Sequence, residues 1–358
     1  MKLTPFSTQF VRMSLLALIV TASGMQSANA NILVSLRNQP GGSAPEFILL
    51  LGDDGTVLSS SFVDSSYLNG PTGLAYGSDG KLYVSNSTSQ EIVRFPGGAP
   101  SSGAPELVLN NSSAAITNNP AASLNLPTAI RFDSTGENLY ITNSGPYNVS
   151  GTLDGTTVTK LNGGVASTLG SDHVGPVQLY LDGYDNVFVS QFGQFAPGVS
   201  VRAFEPNGTE IILNPQIDMV GTFGAPGTTG LAGDFSIDTS NANAEAGTLY
   251  IASSYGDLVA VYDGSALSFQ TSVTAGSFLG PLYTLDSDNL LLGSTLFPYI
   301  LKYNISGNQV TTFADLSAFG PLAIGDIIFT AAVPEPSAIL LVVSAIAGLF
   351  VARRRIRR

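Results

Sequence analysis

Residues 70–86 read GPTGLAYGSDGKLYVSN. The stretch opens on Gly-Pro, runs through apolar residues, turns at Asp79-Gly80 and returns through Leu82, Tyr83 and Val84. Proline suits the first position of a strand, where no ladder hydrogen bond is lost. Asp-Gly is a two-residue hairpin turn, and the flanking apolar runs read as strands. The stretch is therefore a β-hairpin, with Leu82, Tyr83 and Val84 expected to pack against neighbouring units. The same plan returns at 126–143 (LPTAIRFDSTGENLYITN), 175–191 (GPVQLYLDGYDNVFVSQ), 231–253 (LAGDFSIDTSNANAEAGTLYIAS) and 280–294 (GPLYTLDSDNLLLGS).

Each hairpin is followed by two more strand-like segments. EIVRF and ELVLN follow the first, VSVRAF and EIILN the third, LVAVY and LSFQTSV the fourth, YILKY and VTTFADL the fifth; around VTKL and VAST the pattern is less regular. Four short strands per unit, repeating at roughly 40–60 residues, describe the blades of a β-propeller. GPLAIGDIIFT (320–330) has only the first strand of a sixth unit. NILVS (31–35), EFILLL (46–51) and TVLSSSFV (56–63) supply the other three. The expectation is an all-β, six-bladed ring whose last blade joins one C-terminal to three N-terminal strands, because an unclosed ring leaves sticky unpaired edges. Seven blades, with an extra one hidden in the long second and fourth units, is the alternative.

These units resemble the NHL and SMP-30-like propeller repeats, with Pro-x-Gly-hydrophobic-Ala, an Asp-Gly turn and a Tyr-Val strand. The first copy carries the likeness best. The resemblance implies a central channel in which SMP-30-like enzymes hold a divalent metal on Asn, Asp and Glu, suited to Ca²⁺ and to polarising a lactone or ester. The matching positions here read Thr72, Thr128, Val177, Gly233, Leu282 and Leu322, with Asp234 one step away. None of the six is a carboxylate or amide, which argues against a metal-dependent hydrolase. No catalytic, cofactor or metal residue is assigned; Ca²⁺ is the one cation weighed.

The ends carry addresses. Lys2 and Arg12 precede an apolar stretch, Ser14 to Met25, and Ala28-Asn29-Ala30 is an A-x-A cleavage site, so 1–30 reads as a signal peptide for signal peptidase and the mature chain as starting at Asn31. At the other end stand Val333, Pro334, Glu335 and Pro336, an uncharged run from Ser337 to Ala352, and Arg353, Arg354, Arg355, Arg357 and Arg358. Prolines keep the hinge extended, the run forms one helix in lipid, and arginines hold its end in the cytoplasm. Sixteen residues fall short of the roughly 20 a span needs, which arginine snorkelling helps to cover. This order resembles the PEP-CTERM sorting signal of Gram-negative bacteria. The resemblance implies an exosortase-type protease as partner, a transient inner-membrane anchor through a single C-terminal transmembrane helix, and delivery to the cell surface or biofilm matrix. The domain plan is 1–30 signal peptide, 31–332 propeller, 333–358 sorting signal; only Ala331 and Ala332 part Thr330 from Val333.

Composition narrows the rest. The 358 residues hold 26 acidic and 14 basic groups. Setting aside Lys2, Arg12, the five terminal arginines and Glu335 leaves 25 acidic and 7 basic residues in 31–332, a net charge of −18. Nucleic acid and anionic headgroups are poor partners for such a domain. With no cysteine, disulfides and thiolate chemistry are excluded.

His173 is the single histidine, and a general-base role is weighed against that of a loop residue. Asp53-Asp54-Gly55, Asp182 to Asp185 and Asp286 to Asn289 have the residues of Ca²⁺ loops without EF-hand spacing, and hairpin turns need the same residues. Tyr67, Tyr147, Phe192, Phe195 and Tyr255 fall in or near loops, where rings can stack on sugars or pack between blades. The functional expectation is an exported binding or scaffold protein associated with extracellular polysaccharide; a channel-centred lactonase or lyase is the alternative.

Overall fold

The computed structural model describes residues 31–39, 42–96, 103–146, 154–192, 198–224, 230–234, 248–273 and 277–330. The signal-peptide and sorting-signal segments lie outside them. The chain divides into two units. Ile32–Ile328 is one. Of the other, Asn31, Phe329 and Thr330 are described, and there the Thr330 amide and hydroxyl donate to the Asn31 carbonyl at 2.8 and 3.2 Å.

Among the described residues the strands form six antiparallel four-stranded sheets. In chain order β1 (Ile32–Asn38), β2 (Phe47–Leu51) and β3 (Val57–Ser59) begin a blade that they do not complete. The first full blade is β4 (Pro71–Tyr76), β5 (Leu82–Asn86), β6 (Glu91–Phe95) and β7 (Glu106–Asn110). The second is β8 (Pro127–Phe132), β9 (Asn138–Asn143), β10 (Thr157–Asn162) and β11 (Val165–Thr168), after a short helix α1 (Ala114–Thr117). The third is β12 (Pro176–Leu181), β13 (Val187–Gln191), β14 (Val201–Phe204) and β15 (Glu210–Ile211). Helix α2 (Met219–Phe223) leads to the fourth, β16 (Gly230–Asp234), β17 (Thr248–Ser253), β18 (Leu258–Tyr262) and β19 (Leu267–Ser272). The fifth is β20 (Leu279–Asp286), β21 (Asn289–Ser294), β22 (Tyr299–Asn304) and β23 (Gln309–Asp315). Finally β24 (Leu322–Phe329) pairs with β1, giving the closing sheet the order β24-β1-β2-β3. The six-bladed ring with mixed closure is what the repeat predicted, and the long second and fourth units add no blade among the described residues.

The reason these residues make blades is visible in β5. Leu82, Tyr83 and Val84 are all buried, because a blade's middle strands are covered on both faces. Leu82 and Val84 join Leu33, Ile48 and Phe95 between the closing and first blades. Tyr83 turns the other way and meets Phe132 edge-on at 4.9 Å between the first and second. Each large side chain buried in this way contributes about 1.5–3 kcal/mol. The chain turns at Asp79-Gly80, but through a longer loop than a two-residue turn: the Gly77 amide donates to the Lys81 carbonyl at 3.0 Å, the Gly80 amide to the Gly77 carbonyl at 2.9 Å, Gly80 takes φ +71, and Asp79 accepts the Lys81 amide at 3.1 Å. Two of the outermost strands are short, two residues in β15 and three in β3, which limits edge pairing there, whereas β19 and β23 run six and seven residues.

Pro71 lies opposite Asn86, so the start of an inner strand and the end of the second strand share one end of the blade. Loops between blades and loops from second to third strands therefore gather on one face, called upper here. The Asp-rich hairpin turns lie on the lower face.

Candidate functional site

The inner strands of the first, second, third and fifth blades begin with a bulge. In the first blade the register shifts between Pro71 and Gly73, in the second between Pro127 and Ile130, in the third between Pro176 and Leu179. A bulge takes amides and carbonyls out of the ladder, and buried ones need partners. The second strand supplies them. Ser85 Oγ accepts the Gly73 amide at 2.7 Å and donates to the Thr128 carbonyl of the next blade at 2.6 Å. Thr142 Oγ1 accepts the Ala129 amide at 2.9 Å and donates to the Val177 carbonyl at 2.9 Å. Ser35 reaches the Thr72 carbonyl at 3.3 Å. The Ser and Thr of the repeat are thus staples between blades. Ala252 and Gly293 stand at this place in the fourth and fifth, so the hydroxyl staple is missing from that arc.

Thr72 and Thr128, at the positions aligned with metal ligands, are spent the same way. Thr72 Oγ1 donates to the Pro127 carbonyl and Thr128 Oγ1 to Val177, at 3.0 and 2.9 Å. The pairing also corrects the alignment. Leu282 faces Leu292 as Leu74 faces Val84, so Gly280, and not Leu282, matches Thr72. Gly233 pairs with Leu249, two places beyond Leu231 opposite Ile251, so it does not match Thr72 either. In the closing blade Gly325 takes the place, beside Ser35 Oγ and the Pro71 carbonyl, in place of Leu322. Asp234 pairs with Thr248 at the far end of its strand.

Charge on the inner strands is concentrated in Arg131 of β8, Asp326 of β24 and, nearby, the Tyr283 phenol of β20. Burial opposes the Arg131 charge, Asp326 more than offsets this, and its pKa is raised. Burial likewise raises Tyr283, with Arg131 pulling it back and Asp326 adding to the rise. Asp326 also accepts the Leu74 amide at 2.9 Å. With its carboxylate committed on both oxygens, this cluster ties strands together and presents no general base.

His173 is 1% exposed, in the loop before β12. Its Nε2 donates to the Leu169 carbonyl at 2.9 Å and its ring lies 5.3 Å from Phe204. Burial, assisted by Arg202, pushes its pKa down to about 4 against the pull of the Leu169 carbonyl, Glu210 and Asp172. A neutral imidazole sealed between blades is the loop-and-core role, not that of a base facing substrate.

The acidic turns are spent on their own backbone. Asp54 accepts the Thr56 amide, Asp182 those of Tyr184 and Asn186, and Asp286 that of Asp288. Among the described residues no group of three or more His, Cys, Asp or Glu is placed to hold a metal ion.

What the upper face does assemble is aromatic. Phe192, Tyr255, Phe278, Phe297 and Tyr299 form a continuous strip over the third to fifth blades, with successive centroids 5.6, 5.9, 6.5 and 5.8 Å apart. Phe192 is buried beneath it, whereas Tyr255 and Phe297 are 45% and 43% exposed. Phe297 and Tyr299 stack with planes 6° apart. Phe278, at the centre, holds φ +49, a left-handed conformation that is uncommon for a bulky side chain. The position is structural: Gly70 and Gly175 take it before β4 and β12, and Leu126 before β8. Phe278 is held there by the Asp257 carboxylate on its amide at 2.8 Å and by the Thr295 amide and hydroxyl on its carbonyl, both at 2.9 Å. Sequence reading found Phe192 and Tyr255 but missed Phe278, Phe297 and Tyr299. Their signal was proximity to loops of consecutive units, legible once the blades are aligned. Tyr67 sits alone on the first blade's loop, against Phe95 at 6.5 Å, and Tyr147 and Phe195 lie outside the described residues.

No protein-family model matches the chain, and no curated protein does. Solved structures do. One chain of a nidogen/laminin complex has 13% identity and a TM-score of 0.60, covering 85% of this chain and 99% of that one. A catalytically inactive variant of virginiamycin B lyase from Staphylococcus aureus, with quinupristin, has 12% identity and a TM-score of 0.50 over 84% and 94%. A gluconolactonase from Xanthomonas campestris has 14% identity and a TM-score of 0.46 over 80% and 88%. At such identities the likeness is one of fold alone, and the fold is a six-bladed β-propeller.

Proposed function

We propose that this is an exported propeller that binds extracellular polysaccharide through the aromatic strip on its upper face. The observation that carries the reading is the strip itself: Tyr255 and Phe297 are 45% and 43% exposed, and Phe278 between them joins the two rings into one surface. Aromatic faces offer broad apolar area with little rotamer entropy to lose, which suits the C–H faces of sugar rings. Export is supported by Lys2, Arg12 and the Ala28–Ala30 site ahead of Asn31, and by Val333 to Pro336, the apolar run and the arginines from Arg353 onward. In this reading 31–332 is the ring, signal peptidase and an exosortase-type protease process the two ends, and the product resides at the surface or in the matrix.

Affinity electrophoresis of the full chain in gels containing soluble polysaccharides tests the binding. Retardation by at least one glycan, lost in Tyr255→Ala/Phe297→Ala, is expected. No retardation in any gel, or equal retardation of the variant, overturns it. Mass spectrometry of the cell-surface protein tests the sorting: a chain starting at Asn31 and lacking Arg353 to Arg358 is expected, and one ending in Arg358 refutes processing.

A further inference from the structure

The charge of the upper face narrows the ligand. Of the seven basic residues in 31–332, Lys81 stands in a lower-face turn and the other six stand within strands. Several of these bases are already committed: Lys81 and Arg94 to Glu106, Arg202 to Glu210, Arg131 to Asp326. The loops that build the upper face contain no lysine or arginine at all, yet Asp172, Asp218 and Asp257 sit in the loops of the same arc as the aromatic strip. Asp257 bonds directly to the backbone of the central ring.

We infer that the strip takes an uncharged glycan and rejects polyanionic ones. The inference rests on the polysaccharide-binding reading above. A chain of uronates, sulfates or phosphates laid on the strip would meet carboxylates in loops that hold no lysine or arginine of their own; Arg202, which reaches the Ser171 carbonyl beside Asp172, is paired with Glu210. That is discrimination by repulsion, acting on encounter as well as on the bound state. Neutral sugar rings stacking on Tyr255 and Phe297 leave the carboxylates solvated and carry no charge for salt to screen.

The test uses the full chain in affinity gels of a neutral β-glucan, a polyuronate and a de-acetylated amino-sugar polymer, at about 0.02 and about 0.5 M salt. Expected is retardation by the neutral glucan that changes less than about twofold between the two salts, with binding to the polyuronate weaker by about tenfold or more at low salt. Equal or tighter binding of the polyuronate overturns the inference while leaving polysaccharide binding intact. So does an amino-sugar polymer that outcompetes the glucan only at low salt. Retardation by none of the three overturns both, and Tyr255→Ala/Phe297→Ala marks which bound glycan uses the strip.

Discussion

Arg131 and Asp326 belong to the second and the closing blade, yet they meet in a bidentate ion pair at 2.7 and 3.0 Å across the inner strand of the first. The Asp326 side chain is 1% exposed and that of Arg131 20%. Arg131 also donates to the Leu74 carbonyl at 3.1 Å while Asp326 takes the Leu74 amide, so the strand between them is gripped on both sides. The last strand of the ring is thereby fastened to the two blades that follow it.

Removing one partner leaves the other buried and uncompensated, which is the costly case for an ion pair. Asp326→Asn keeps an acceptor for the Leu74 amide but strands the guanidinium. A loss of about 3 kcal/mol is expected, at the low end for buried pairs because Arg131 keeps some solvent contact. Arg131→Met/Asp326→Asn should lose less than the two single changes combined, by more than about 1 kcal/mol. Urea midpoints at constant m-value check this; strict additivity would mean that the pair is not coupled.

The hydroxyl staples make a graded prediction. Ser85→Ala strips a partner from both the Gly73 amide and the Thr128 carbonyl, at a cost of about 2 kcal/mol. Thr142→Ala strips the Ala129 amide, but the Val177 carbonyl keeps the Thr128 hydroxyl, so the loss is smaller. Thermal and urea unfolding of the two variants should rank Ser85→Ala as the weaker protein. The reverse order would show that the bonds are replaceable by water.

Much of this is legible in the chain. Pro71, Asp79-Gly80 and the run from Leu82 to Val84 speak in local terms, of φ, turn residues and alternation, and each lands where the sequence puts it. The mixed closure follows from counting strands in the sixth unit. The staples are not legible, because Ser85 next to Asn86 looks like polar punctuation until the next blade's carbonyl arrives beside it. Arg131 and Asp326 are 195 residues apart, and nothing local pairs them. Aligning on Gly-Pro puts Leu282 two residues out of step with Leu74, because the bulge, and not the Gly-Pro pair, sets the register.

His173 gives a pH signature. In the unfolded chain its pKa returns to about 6.5, while in the fold it is pushed down to about 4 by burial, Arg202 adding to this. The unfolded state thus binds the extra proton between those values, and stability rises with pH there. It is fully present above about pH 6.5 and is lost as pH falls toward 4, by on the order of 3 kcal/mol in total. His173→Gln retains an N–H for the Leu169 carbonyl and cannot titrate. Urea midpoints measured from pH 7.5 to 4.5 should fall more steeply for the parent than for this variant, which keeps only the slope of carboxylates such as Glu106 and Glu210 near the acid end; parallel curves would assign the whole slope to other groups.

Phe278→Gly separates folding from binding. Glycine is free at φ +49, so the change relieves backbone strain of on the order of 1 kcal/mol, which offsets the packing that a half-buried ring supplies. The unfolding midpoint should therefore stay close to the parent's. The strip, however, is cut at its centre: Tyr255 and Phe297 each touch Phe278, at 5.9 and 6.5 Å, and without it they stand as separate rings. Loss of one central aromatic from a binding surface typically costs about 2 kcal/mol or more, so glycan affinity should fall roughly thirtyfold. Leu126→Gly, at the matching position of the second blade and away from the strip, is the control, and it should leave affinity unchanged. If Phe278→Gly bound glycan like the parent, the aromatic strip would be packing alone. If both variants lost affinity together, the left-handed position rather than the ring would be responsible.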